Sequence, residues 1–190
     1  MPGLREQLEA LLTGRVCVVG VGNVGQGDDA LGMCLAEQLA GAGVEPVLFA
    51  GTEPERLLDA IAATGCERVL FLDATEFRGP PGSVVLLETD EITARYPQVS
   101  THKLALGLLA RLIESDGRRK VGLLGVQPRT VAQGGGGAAA MRWGNDAVCA
   151  LSEPVQRTVE ALAELLGGLL VRSGGSSRPR VVQPAMEVMR

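Results

Sequence analysis

Five short apolar runs, separated by segments of helical pattern, constrain this chain more than any other feature. They are Arg15–Gly20 (RVCVVG), 46–50 (PVLFA), Arg68–Asp73 (RVLFLD), Ser83–Glu88 (SVVLLE) and Lys120–Val126 (KVGLLGV). Each is strand-length, rich in valine and leucine, and apolar at consecutive rather than alternate positions, the pattern of strands covered on both faces. Between them, Leu31, Cys34, Leu35 and Leu39 fall at helical spacing up to Gly41 and Gly43, and Pro54 opens a helix that runs to Gly65. Within Lys103–Glu114, residues Leu104, Leu108, Leu109 and Leu112 read as the apolar face of another helix. The last helix is capped by Ser152, carries Pro154 in its first turn, and has the stripe Val155, Val159, Leu162, Leu166 and Leu170. Residues 3–13 read as a short amphipathic helix through Leu4, Leu8, Leu11 and Leu12, and residues 90–101 as polar and irregular. Alternation of this kind predicts an α/β three-layer sandwich: a mostly parallel, twisted sheet of about five strands with helices on both faces. Such sheets work at the carboxyl ends of their strands. The loops after residues 20, 50, 73 and 126, and the segment before the helix at 103, are therefore where function is expected.

The 190 residues fit one domain, read as 1–172, followed by a disordered tail at 173–190 (SGGSSRPRVVQPAMEVMR). The stretch Gln133–Ala140 (QGGGGAAA) is low-complexity and reads as a mobile loop. A net charge of −4 and 3% aromatic content leave neither a basic field nor a stacking surface, so nucleic acid is not an expected partner. Arg5, Glu6 and Glu9 interrupt the N-terminus where a signal peptide would be apolar, and no uncharged stretch is long enough to span a bilayer. The expectation is a cytoplasmic protein without membrane contact, and a monomer. Cys17, Cys34, Cys66 and Cys149 form no CxxC pair and are expected to be reduced; the first three lie inside apolar runs.

The loop after the first strand, GVGNVGQGDD at 20–29, carries two conflicting signals. Gly20, Gly22 and Gly25 match the turn of a dinucleotide-binding module. That reading needs an acidic residue at the end of the second strand, where this chain has Phe49-Ala50-Gly51; Glu45 lies at the strand's other end. Asp28 and Asp29 would also repel a pyrophosphate. One of the two acids serves as a cap for the helix that follows, which leaves the other for chemistry. Asp73 ends the third strand, and His102, the single histidine, precedes a helix at the same sheet edge. If Asp29, Asp73 and His102 converge, two carboxylates and an imidazole make an open site for nickel, zinc or another borderline divalent ion. Each residue also has a plain alternative: a turn-bonding aspartate, or a histidine at a helix start. No GxSxG elbow is present, and Ser100 is too close to His102 to serve as a nucleophile to it.

Together these motifs resemble the hydrogenase maturation endopeptidases, over roughly residues 15–170. The first motif, G-x-G-N, a gap, then D-D-G-x-G, is matched from Gly20 to Gly32. A strand ending in D-A is matched at Leu70–Thr75, a histidine before a helix at Ser100–Leu104, and G-x-Q-P at Gly125–Pro128. The last helix opens as the family's does, at Leu151–Val155. The resemblance implies a protease that trims the C-terminal extension from the large-subunit precursor of a nickel-iron hydrogenase. It implies that Asp29, Asp73 and His102 are the catalytic and metal-binding residues, that the nickel is carried by the precursor, and that Asn23, Gly51 and Thr101 contact substrate. Three departures stand out. Ala30 replaces a glycine, Phe49-Ala50-Gly51 replaces D-G-G, and the segment from 133 to 150 is an insertion that forms either a substrate-contacting flap or a solvated loop. The rival functions are a peptidase with its own resident metal, a nucleotide-binding module, and a metal-site chaperone that does not cleave.

Overall fold

Strand β1 (Val16–Val21) is buried along its whole length and lies between β2 (Val47–Gly51) and β3 (Arg68–Ala74), parallel to both. β3 pairs in parallel with β5 (Lys120–Val126), and β4 (Val84–Glu88) closes the edge antiparallel to β5. The sheet order is β2-β1-β3-β5-β4. This computed structural model describes residues 2–95, 101–129, 141–143 and 147–173; the side chains of 95, 101–105, 141–143, 147–149, 172 and 173 lie outside that description.

Successive strand residues point to opposite faces, and each face has its own core. On one side, Val16, Val18, Leu70, Leu72, Leu124 and Val126 meet α1 (Leu4–Leu11), α2 (Leu31–Gly41) and α6 (Glu153–Ser173) through Leu8, Leu35, Leu39, Val155, Val159 and Leu166. On the other, Cys17, Val19, Val69, Phe71, Val121 and Leu123 meet α3 (Leu58–Thr64), α4 (Thr89–Arg95) and α5 (Thr101–Glu114) through Ile61, Ile92, Leu106, Leu109 and Ile113. The three-layer α/β expectation and the five strands are observed. Among the described residues no helix is long and apolar enough to cross a membrane.

Several local expectations change. Residues 89–95 form α4 rather than irregular chain, anchored by Ile92, which is fully buried. The helix expected from Pro54 begins as a 3-10 turn (Pro54–Leu57) before α3. In α5 the buried face is Leu106, Leu109, Ala110 and Ile113, while Leu108 and Leu112 are 70% and 53% exposed. Apolar residues surround most of that helix, so spacing could not select the face that meets the sheet. β6 (Met141–Trp143) pairs antiparallel with β7 (Ala147–Cys149); the glycine-rich 133–140 lies outside the described residues. Ser173 is the last residue of α6, and the tail expected from there lies, from 174 on, outside them too. Cys17 and Cys66 are free and buried, as expected, but Cys34 is disulfide-bonded.

Candidate active site

α2 approaches the sheet closely, and this seats the turn that carries Asp29 near the end of β3, which carries Asp73. Gly32 lies over the carboxyl ends of β1 and β3: a Cβ added there would stand 2.1 Å from the Leu72 carbonyl oxygen and 2.3 Å from that of Val21. Gly20 faces Ala36 and the Gly32 carbonyl, both 2.7 Å from its own would-be Cβ. Small residues at 20, 32 and 36 thus let the helix backbone rest on the strand ends. Asp29 lies three positions before Gly32, in the turn that leads into α2, and Asp73 directly follows Leu72, so the helix that follows one acid rests on the strand that carries the other.

Between β1 and α2, Gly27–Ala30 forms a 3-10 turn that contains both Asp28 and Asp29. Gly22 has φ 129°, and its would-be Cβ would fall 1.9 Å from the Asp29 carbonyl oxygen. Close approach of the loop's own backbone is therefore the reason for that glycine, not approach of a nucleotide phosphate. Asp29 is half-buried, and its Oδ2 accepts a 2.9 Å hydrogen bond from the Asn23 backbone N–H. Asn23 in turn accepts from the Gly25 N–H through Oδ1 at 3.0 Å, so the loop is braced from within.

Asp28 is directed elsewhere. It is 3% exposed, and its carboxylate accepts from the Arg129 N–H at 2.8 Å, the Ser152 N–H at 2.6 Å and the Ser152 hydroxyl at 2.8 Å. Of the two adjacent acids, it is Asp28 that serves a helix start, and the helix is α6 rather than the α2 expected from the sequence.

Asp73 belongs to the same strand face as Val69 and Phe71, the side covered by α5. It is 7% exposed, more buried than the partial exposure expected of a site residue. The reason is its position within β3, opposite Gly125 of β5, with the chain continuing as strand through Ala74. The loop beyond is fixed by Gln127, itself 3% exposed. Its amide oxygen accepts from Phe77 N–H at 2.9 Å and Gly79 N–H at 3.1 Å, and its amide nitrogen donates to Glu76 Oε1 at 2.9 Å and the Pro128 carbonyl at 3.2 Å. Gln127 and Arg129 thus let the short segment after β5 hold both the loop that follows Asp73 and the turn that carries Asp28 and Asp29.

His102 and Thr101 are the first two residues of α5, whose described side chains pack on the Asp73 face of the sheet; the side chains of these two lie outside the described residues. Gly51 ends β2 with φ 57°, and its carbonyl accepts from Gly22 N–H at 2.8 Å, so it stands at the same sheet edge as the acidic loop. Among the described side chains no group of three or more His, Cys, Asp or Glu is arranged to hold a metal ion. The sequence marked Asp29 and Asp73 by their strand ends. The tie made by Asp28 was not legible there, although Ser152 stood out as a cap and Gln127 as part of a motif.

Comparison with known proteins bears on this arrangement. The family model described as hydrogenase maturation protease matches residues 33–168. The hydrogenase 3 maturation protease of Escherichia coli (strain K12) is 34% identical over 113 residues, 58% of this chain and 71% of that protein. The crystal structure of the NiFe hydrogenase maturation protease HycI from Thermococcus kodakarensis KOD1 superposes with a TM-score of 0.69 at 31% identity, covering 87% of this chain and 99% of that one. The solution structure of an endopeptidase HycI from Escherichia coli gives a TM-score of 0.61 at 26% identity, covering 81% and 90%.

Proposed function

Because the chain belongs to the hydrogenase maturation protease family and is an endopeptidase, we propose that it removes the C-terminal extension of a nickel-iron hydrogenase large-subunit precursor once nickel has been inserted. In this reading Asp29, Asp73 and His102 read the precursor's metal, and Asn23, Gly51 and Thr101 border the substrate. The observation that carries it is the seating of Gly32 on Leu72, which supports a meeting of the Asp29 loop with the end of β3. The helix that starts with Thr101 and His102 covers the same face as Asp73.

Two carboxylates and one imidazole are a donor set suited to a borderline divalent ion, with coordination positions left for groups from the precursor. The nickel is substrate cargo here, and the protease supplies the groups that recognise it. The hydrogen bond from Asn23 N–H fixes one oxygen of Asp29 before substrate arrives, so less ordering is required on binding. A precursor gripped at its metal holds the adjoining peptide in one orientation, and orientation alone supplies a large part of a rate enhancement.

The test is to incubate the protein with precursor prepared with and without nickel and follow the loss of the extension by mass. Shortening is expected with nickel only. Asp29→Ala, Asp73→Ala and His102→Ala are each expected to slow it more than about 100-fold, beyond the range typical of groups that merely support a metal ligand. Equal processing of nickel-free precursor, or full activity in these variants, overturns the reading.

A further inference from the structure

We infer that Asp28 is a positioning residue for Asp29: its buried carboxylate ties the turn that presents Asp29 to the loop after β5 and to the start of α6. This inference rests on the reading of Asp29 as a residue that contacts the precursor's metal.

The two acids are adjacent in sequence yet have opposite surroundings. A buried carboxylate is stable only where donors replace its water. Asp28 receives three such bonds, and because the Arg129 N–H bonds one oxygen and the Ser152 N–H the other, both positions call for an acceptor. Capping one helix end would need a single bond. Two of the three come from Ser152, 124 residues away, and the third from Arg129, 101 residues away. One side chain thereby joins three segments that meet at the carboxyl edge of the sheet.

A four-residue 3-10 turn has little cohesion of its own. The hydrogen bonds inside this one are local, from Asp29 N–H to the Gln26 carbonyl and from Leu31 N–H to that of Asp28. The long-range bonds come through the Asp28 carboxylate. Arg129 follows Gln127, which holds the loop after Asp73, so the Asp28 bond also sets the Asp29 turn relative to the Asp73 loop. Misplacement of a reacting constellation by about 1 Å lowers rates on the order of 100-fold.

The experiment measures kcat and KM for nickel-loaded precursor, together with cooperative unfolding, for Asp28→Asn, Ser152→Ala and Asp29→Ala. Asp28→Asn keeps the shape but turns an NH2 group against a donor. At a temperature where the variant is folded, its kcat is expected to fall about 10- to 100-fold with KM within about three-fold, the range for groups that orient a metal ligand. Ser152→Ala keeps both backbone donors and is expected to lose about three-fold in kcat. A purely structural Asp28 would lower the melting temperature and leave kcat of the folded enzyme unchanged; that result overturns the inference. If Asp28→Asn does not fold, Ser152→Ala decides, and an unchanged kcat there overturns it as well. Full activity in Asp29→Ala would instead show that the reading of the site beneath the inference has failed.

Discussion

Substituting Gly32 by alanine probes the contact on which the site depends. The new methyl carbon would lie 2.1 Å from one backbone carbonyl oxygen and 2.3 Å from another, whereas real Cβ atoms essentially never come closer than 3.0 Å. Both obstacles are strand backbone and cannot rotate away, so α2 must lift by roughly 1 Å, an overpacking strain of about 3 kcal/mol. For a domain of this size that lowers the melting temperature by roughly 6–12 °C. Because Asp29 precedes the contact by three residues, the lift also moves it away from Asp73, and processing by the folded variant should drop at least about ten-fold. Gly41→Ala, on the same helix, is the control. Nothing lies within 4 Å of its would-be Cβ, and alanine there should add about 0.5–1 kcal/mol through helix propensity. Thermal unfolding followed by circular dichroism, with precursor processing measured well below the transition, distinguishes the two. A Gly32→Ala protein melting within about 2 °C of the parent would refute the close approach of helix and sheet.

The remaining predictions concern buried polar groups. Gln127→Leu leaves the N–H groups of Phe77 and Gly79 without their acceptor and should lose about 2–4 kcal/mol in urea unfolding; an unchanged midpoint would show that water replaces the amide. Burial pushes the Cys17 thiol from 9.0 up to about 12, with Cys66 adding to the rise and a hydrogen bond involving Thr64 opposing it. The folded state holds that proton more tightly than the unfolded chain, so the stabilisation is intact below pH 9 and is lost between pH 9 and about 12. Urea midpoints should therefore fall across that window, and less steeply in Cys17→Ala; identical profiles would contradict this account.

Legibility in the sequence followed the strength of local signals. β5 was readable end to end because Val121 to Val126 is continuously buried, and the sheet order places β1 and β3 side by side as alternating α/β units require. α4 was missed because TDEITAR offers Ile92 as its one large apolar residue, too little for a periodicity. The buried face of α5 was misjudged for the opposite reason, an excess of apolar positions. Position after or at a strand end is what singles out Asp29 and Asp73 as candidates. The separate duties of Asp28 and Asp29 depend on the direction in which a tight turn sends each side chain, and adjacent identical residues carry no trace of that.

The reversed direction of β4 has a consequence for how such an enzyme can diversify. Because β4 starts where β5 ends, with Val84 opposite Val126, the connection through residues 75–83 stays at the carboxyl edge of the parallel strands. Its far end rests on the last helix, where the Thr158 hydroxyl donates to the Gly82 carbonyl at 2.8 Å. Lengthening or reshaping this segment would recontour the entrance offered to a client protein and leave every ladder of the sheet in register. The room for such change lies between Gly79 and Gly82, because the bonds from Phe77 and Gly79 N–H to Gln127 tie the first half of the segment to the scaffold that holds the acids.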